Sequence, residues 1–321
     1  MKQLILALTV FCFLLSSRSS EAQRVYRIAA LVSADVFLPT FDGFKKKMAE
    51  LGYTEGKNIK YDFYNAKGDQ DTLKKLAQKF VQDKPDLIIT SSATATAPVA
   101  KATEGTNLPV VFLNVGNPLE FVKSYASSGN NLTGVSAATL DLTAKRLELL
   151  REMAPRVKRV AALNNPKGLN YQEHLVAVRE GAERIGFKIV EVKATSLKEL
   201  QQVTATITNE VADAIFTQPD PLISANIELV IKQSIKAKLP MLPTLIPSVR
   251  SGGLATYGPD YFALGEQGAA LVDRILKGAK PSSIPIEQPD KLVLAINLKT
   301  AKTIGLKIPR EILLRADEVI E

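Results

Sequence analysis

The side chains able to do chemistry in this chain gather in short polar stretches, each placed just after an apolar run. The stretches are Ser33-Ala-Asp-Val-Phe37, Ser91-Ser-Ala-Thr-Ala-Thr96, Asn114-Val-Gly-Asn-Pro118, Asn164-Asn-Pro-Lys-Gly168, Gln218-Pro-Asp-Pro221 and Thr256-Tyr-Gly-Pro-Asp-Tyr261. None assembles a reactive set. The sole cysteine, Cys12, lies in the N-terminal apolar run, so the rest of the chain has no thiol nucleophile. The sole histidine, His174, falls in the middle of an expected helix. It reads as an exposed or capping residue rather than the base of a Ser–His–acid triad. No grouping of His, Cys and carboxylates has metal-ligand spacing, and neither phosphate-loop pattern occurs. Binding is favoured over catalysis: no enzymatic activity, cofactor or metal is expected.

The same stretches suit a small polar ligand. A helix that opens at Ser91-Ser-Ala-Thr-Ala-Thr96 presents free N–H groups and a partial positive charge, which can hold a carboxylate. Ser91, Ser92 and Thr94 would add hydroxyl donors; the plainer role for the serines is an N-cap. Asp220, at the equivalent station further along, can pair with an ammonium through a charge-assisted hydrogen bond, or cap the next helix. Together the two stretches offer a positive and a negative pole to a zwitterion. Asn114, Asn117, Asn164 and Asn165 both donate and accept, although Asn-Pro pairs also mark simple turns. Ser33, Gln218, Tyr257 and Asp260 complete the candidate set. Tyr257 would flank the ligand, and Asp260 would bond across a cleft or cap the helix it opens. Phe37 and Tyr171 either stack on an aromatic ligand or sit in the core.

The elements that must position these residues alternate regularly. Strands are expected at 26–32, 59–64, 86–90, 109–114, 159–164, 188–192, 214–217, 240–243 and 254–256. Helices are expected at 40–51, 70–83, 93–103, 139–153, 169–185, 196–209, 222–237 and 260–277. Near-continuous apolar strands such as Val110-Val-Phe-Leu113 suit parallel sheets covered on both faces by helices, so the fold class is α/β with doubly wound sheets. An internal echo divides the chain. Arg27-Ile-Ala-Ala-Leu31 returns as Arg159-Val-Ala-Ala-Leu163, Leu51-Gly-Tyr53 as Ile185-Gly-Phe187, and Asp86-Leu-Ile-Ile-Thr90 as Asp213-Ala-Ile-Phe-Thr217. Three matches in one order imply two similar lobes. Ligands of open α/β sheets bind outside the carboxyl ends of the strands, which is where the polar stretches lie. Two such edges facing each other would form one shared cleft.

Residues 1–22 read as a cleaved export signal. Met1-Lys2 leads into the apolar run Leu4 to Leu15, and Ser20-Glu21-Ala22 closes with small residues placed for cleavage after Ala22. The run is about a dozen residues, whereas a spanning helix takes roughly 20. Cys12 sits inside the run rather than just after it, so lipidation there is rejected. The remaining chain, starting near Gln23, is expected to be a periplasmic monomer without disulfides and without membrane insertion. Formal charge is +8 for the whole chain. Basic residues are scattered among acids, as in Lys145-Arg-Leu-Glu-Leu-Leu-Arg-Glu152, and Lys45-Lys-Lys47 reads as a solvated helix face. A nucleic-acid partner would need clustered basic residues with stacking aromatics, so none is expected.

Several strings resemble a known family. Ser251-Gly-Gly-Leu-Ala-Thr-Tyr-Gly258, Leu271-Val-Asp-Arg-Ile-Leu-Lys-Gly-Ala-Lys-Pro281, Ile284-Pro-Ile-Glu-Gln-Pro289 and Ile296-Asn-Leu-Lys-Thr-Ala301 are similar to ABC transporter substrate-binding proteins, whose members include tryptophan and phenylalanine binders. Glu50-Leu-Gly-Tyr-Thr-Glu-Gly-Lys-Asn-Ile59, Pro109-Val-Val-Phe112, Asn131-Leu-Thr-Gly-Val135 and Lys145-Arg-Leu-Glu-Leu-Leu150 extend the resemblance over nearly all of the chain beyond residue 22. The resemblance implies the type I periplasmic-binding-protein fold with three hinge crossings, placed near 136, 254 and 286. Lobe one would then comprise 24–135 plus 255–285, and lobe two 136–254 plus 286–321. It also implies an ABC permease and ATPase as partners, and an amino acid, aromatic or branched, as ligand. The family's pocket, carried over by position, falls on Ser91, Ser92, Asn114, Asn117, Gln218, Asp220, Tyr257 and Asp260. One departure is that relatives commonly carry Asp where this chain has Asn117. The alternatives are a sensory receptor of the same fold feeding a membrane kinase or chemoreceptor, or a binder of a nucleoside or sugar.

Overall fold

The computed structural model describes residues 24–321. The expected export signal and Cys12 lie outside the described residues. Strands β1 (Tyr26–Val32), β2 (Ile59–Asn65), β3 (Leu87–Ser91), β4 (Val110–Val115) and β5 (Leu132–Ser136) form a parallel sheet in the order β2-β1-β3-β4-β5. Strands β6 (Arg159–Asn164), β7 (Lys188–Lys193), β8 (Ala214–Thr217) and β9 (Met241–Leu242) form a second parallel sheet in the order β7-β6-β8-β9. The second order repeats the first. Strands β10 (Ala255–Pro259), β11 (Leu292–Asn297) and β12 (Glu318–Ile320) make a third, mixed sheet.

The helices are α1 (Leu38–Glu50), α2 (Gln70–Asp83), α3 (Ala93–Ala102), α4 (Thr143–Met153), α5 (Tyr171–Ile185), α6 (Leu197–Ala205), α7 (Pro221–Ala225), α8 (Ile227–Lys236), α9 (Ile246–Arg250), α10 (Tyr261–Leu276), α11 (Leu298–Ile304) and α12 (Arg310–Leu313). They explain the apolar strands. In β1, Ile28, Ala30 and Val32 pack with Phe44 of α1 and Leu264 of α10, while Ala29 and Leu31 pack with Phe80 of α2 and Val99 of α3. In β6, Val160 and Ala162 pack with Leu150 of α4 and Val178 of α5, while Ala161 and Leu163 pack with Leu200 of α6 and Val230 of α8. Both faces of each strand are buried, so alternation disappears. Among the described residues, no helix is long and apolar enough to cross a membrane.

The sequence echoes are structural devices used twice. The Asp86 carboxylate accepts the Arg27 backbone N–H at 2.7 Å, and Asp213 accepts that of Arg159 at 2.8 Å. Each aspartate locks the start of the third strand of its lobe to the first. Gly52 and Gly186 turn the chain at φ +93° and +79°, a conformation glycine adopts without steric penalty. The following Tyr53 and Phe187 then donate back to Met48 and Ala182 at 2.9 and 2.8 Å.

Three segments pass between the lobes. The chain leaves β5, whose neighbour Ala137 donates to Val115, and enters α4. It comes back after β10. The boundary expected near 254 would put β10 in lobe one, but β10 pairs with β11 and its Ala255 packs in the second lobe's core. The return therefore falls at 259–260. The third passage follows Glu287, which bridges to Val135 beside β5, and leads into β11. Between the second and third passages, α10 lies against α1 at backbone contact. A Cβ on Gly43 would lie 2.0 Å from the Phe262 carbonyl oxygen, and one on Gly265 would lie 1.9 Å from that of Thr40.

Other differences have local causes. The helix expected from 139 starts at Thr143, because Ala138 adopts φ +49° and 139–142 forms the first passage. The helix expected over 222–237 breaks at Asn226 into α7 and α8. The strands β5, β11 and β12 were absent from the expected set.

Candidate functional site

The polar stretches converge where the two sheets present their carboxyl ends. Asn170, after β6, donates its side-chain amide to Glu120, after β4, so the two lobes touch directly across the gap. Burial pushes the Glu120 carboxyl above its ordinary range against the opposing pull of that hydrogen bond, with Glu173 adding to the rise. A cavity of about 190 Å³ lies between the lobes, lined by Val36, Pro39 and Tyr261 from one side and by Thr244, Arg250 and Gly258 from the other.

Lobe one contributes a tight neutral cluster. Ser33, Ser91, Ser92 and Asn114 are all buried at adjacent strand ends. The Ser92 hydroxyl donates to Ser33 at 2.8 Å and accepts from the Ala95 N–H at 3.3 Å, so Ser92 is the N-cap of α3. The Asn114 amide donates to the Thr40 hydroxyl at 2.7 Å. Two atoms here have no protein partner although fully enclosed: Ser91 Oγ and Asn114 Oδ1. The backbone is also held out of its usual range, at φ +88° for Ser92 and +60° for Asn114. Non-glycine residues take up such conformations at some energetic cost and concentrate at ligand sites. Thr94 is half-buried in the first turn of α3. Asn117 accepts from the Leu119 N–H at 3.3 Å and starts a short turn.

Lobe two contributes charge. Asp220 is 7% exposed. One carboxylate oxygen accepts from Leu222 and Ile223 at 2.8 and 3.1 Å, capping α7, and the other accepts from Asn165 at 3.0 Å. Burial raises its carboxyl above the ordinary value despite those donors. The loop after β6 passes so close that a Cβ on Gly168 would lie 2.4 Å from Oδ2. Asn164 and Gln218 are buried beside it but spend their amide donors inside the lobe, on the Ala162 and His174 carbonyls at 3.2 and 3.0 Å.

Two expectations come out differently, and for Asp260 the capping alternative holds. The Tyr257 ring packs against the second lobe's core rather than flanking the gap, because β10 turns that side inward. Asp260 borders the cavity, yet it caps α10 through Phe262 and Ala263 and pairs with Lys291 at 2.7 Å. Burial raises its carboxyl, but the Lys291 ion pair and the Ala263 and Phe262 N–H bonds together outweigh this and the net shift is downward. His174 is buried rather than exposed, with Nδ1 unpartnered. Burial, and secondarily the nearby Arg146, push its pKa down to about 4. Of the aromatic pair, Phe37 stacks on Tyr261 at 5.6 Å between centroids and Tyr171 donates to Glu191 at 2.6 Å.

Arg146 is the residue that reading the sequence missed. Within Lys145-Arg-Leu-Glu-Leu-Leu-Arg-Glu152 it counted as scattered surface charge, but it is 2% exposed. Its signal was helical spacing: Thr143, Arg146, Leu147, Leu150 and Met153 share the buried stripe of α4. Nε donates to the Tyr257 carbonyl at 2.7 Å and Nη1 to that of Thr139 at 3.3 Å. Burial lowers its pKa to about 10, so it stays charged at neutral pH.

Comparison with known proteins identifies the family. The profile described as ABC transporter substrate binding protein matches residues 26–320. A tyrosine-binding protein from Clostridioides difficile (strain R20291) is 30% identical over 291 residues, covering 90% of this chain and 83% of that one. A Streptococcus pneumonia ABC domain solved in complex with L-Trp is 27% identical, covers 92% of this chain and 100% of that one, and superposes with a TM-score of 0.84. The ligand-free, open structure of a substrate binding protein with adhesive properties from Clostridium difficile is also 27% identical, covers 92% and 99%, and gives 0.72. Twin parallel sheets joined by three passages make this the type I periplasmic-binding-protein fold. With a profile match running from β1 to β12, the chain belongs to the ABC transporter substrate binding protein family.

Proposed function

We propose that this chain is the extracytoplasmic solute receptor of an ABC importer and that it closes on an amino acid, aromatic or branched, between its lobes. One observation carries the reading: at its strand ends lobe one buries polar atoms without a protein partner, Ser91 Oγ and Asn114 Oδ1, and at the matching strand end lobe two buries the Asp220 carboxylate. Asp220 receives the ammonium, and lobe one receives neutral polar groups of the ligand. The names of the similar proteins, which bind tyrosine and L-Trp, support an amino acid over a sugar. The ligand docks on one lobe, and rotation at the three passages brings the other over it. It shifts the open–closed balance only by its differential affinity for the two forms. Export by residues 1–22 and a monomer delivering to a permease and ATPase belong to the same reading.

A thermal-shift screen of residues 23–321 against amino acids, nucleosides and sugars, followed by calorimetry, tests it. Saturable binding of an amino acid is expected. Binding confined to sugars or nucleosides would end the amino-acid reading.

A further inference from the structure

Resting on the reading above, we propose that Arg146 is the anion receptor of the cleft and pairs with the carboxylate of the bound ligand. Its two carbonyl bonds leave Nη2 without a protein acceptor, and no carboxylate of the described residues faces it. The groups whose charge couples to it are the Tyr261 phenol from α10 and His174 from α5. A buried charge without a counter-charge is strongly unfavourable. A fold that keeps one has a use for it.

The position fits that use. Nη2 is the atom a Cβ on Gly258 would approach, at 3.4 Å, and Gly258 lines the interlobe cavity. The absence of a side chain there leaves room beside the guanidinium, which lies behind Gly258 rather than in the lining of the cavity itself. Thr139, whose carbonyl holds Nη1, lies with its hydroxyl 3.2 Å from where a Cβ on Gly116 of lobe one would stand. The guanidinium thus sits behind Gly258, tied to Thr139 of the first interlobe passage and to Tyr257 of β10, with the Nη2 donors free for a charge-assisted bond to a carboxylate. Arg146 and Asp220 then divide the zwitterion, and the positive pole is a side chain rather than the N-terminus of α3.

The test uses calorimetry on residues 23–321 with the best-binding amino acid and its primary amide, which lacks the carboxylate charge. Arg146→Gln is expected to weaken the amino acid by about 100-fold, the scale of a lost buried charge pair, and to leave the amide nearly unchanged, without lowering the unliganded melting temperature. Arg146→Lys should fall between. Gly258→Ala, which keeps Arg146 and adds a methyl beside Nη2, should weaken the acid and spare the amide, and serves if Arg146→Gln fails to fold. Equal loss for both ligands with a lower melting temperature would make Arg146 a strut between the passages and overturn the proposal, as would unchanged affinity for the acid. If the wild type binds no amino acid but binds a simple organic acid through Arg146, the amino-acid reading falls and this assignment stands. If it binds only a neutral sugar with Arg146→Gln at full affinity, both fall.

Discussion

The two lobes place different chemistry at the same station. After the third strand of lobe one stands Ser92, after that of lobe two Asp220, and both cap the helix that follows. Ser92 is neutral and meets its needs inside its own lobe, through Ser33 and Ala95. Asp220 is charged, buried and raised in pKa by that burial, and Arg146 on the same lobe is charged without a counter-ion. A shared backbone plan therefore leaves the difference to side chains: at this station lobe one places a neutral hydroxyl and lobe two a carboxylate. The scaffold repeats while the polarity does not.

Four perturbations, each confined to one lobe, break or sharpen that contrast. The largest effect is expected from Gly265→Ala, which drives a methyl into the Thr40 carbonyl at the contact of α10 with α1. A loss of more than about 4 kcal/mol is expected. Urea unfolding should separate into two transitions, with lobe one melting first. Next is acid. His174 stays neutral down to about pH 4, whereas its ordinary pKa is 6.5. Below pH 6.5 the unfolded chain takes up a proton that the native chain refuses, so stability falls as pH drops toward 4, by about 3 kcal/mol from this residue. His174→Gln should flatten that limb in melting curves recorded from pH 7 to 4.

Asp220→Asn keeps a capping side chain and removes the charge. Amino-acid affinity should drop by about 100-fold in calorimetry. The unliganded melting temperature at pH 7 should hold or rise, because a carboxyl raised by burial is a burden once ionised and the burden is absent only at lower pH. The smallest effect is expected from Ser92→Ala, which loses the α3 cap and about 1 kcal/mol of stability. Its loss of affinity should be well below that of Asp220→Asn. Equal losses would dissolve the division between the lobes.

Most of the scaffold was legible because its signals are local. Continuous apolar strands announce a covered parallel sheet, and the pairs Arg27 with Asp86 and Arg159 with Asp213 repeat because each lobe needs the same lock between its first and third strands. Of the missed strands, β11 carries the apolar run Leu292-Val-Leu-Ala-Ile296 and was overlooked, while the other two lack such a signal. Leu132–Ser136 carries Thr, Gly and Ser, and Glu318–Ile320 spans three residues with one neighbour. Charge misled more than pattern did. Arg146 and Tyr257 were judged by residue type, a scattered basic residue and a ligand-flanking aromatic, whereas their roles follow from which face of α4 and β10 they occupy. His174 was likewise judged by its place along α5 rather than around it.

The glycine contact between α1 and α10 has a consequence for how the molecule comes into being. The first sheet is synthesised early, but the helix that seals it arrives only after all of the second lobe's parallel strands have been made. A nascent chain halted at Pro259 would hold β6 to β9 in full, while Gly43 faced water in place of the Phe262 backbone. Contacts so distant in sequence slow folding. The lobe begun first waits for its seal until most of the other has been made.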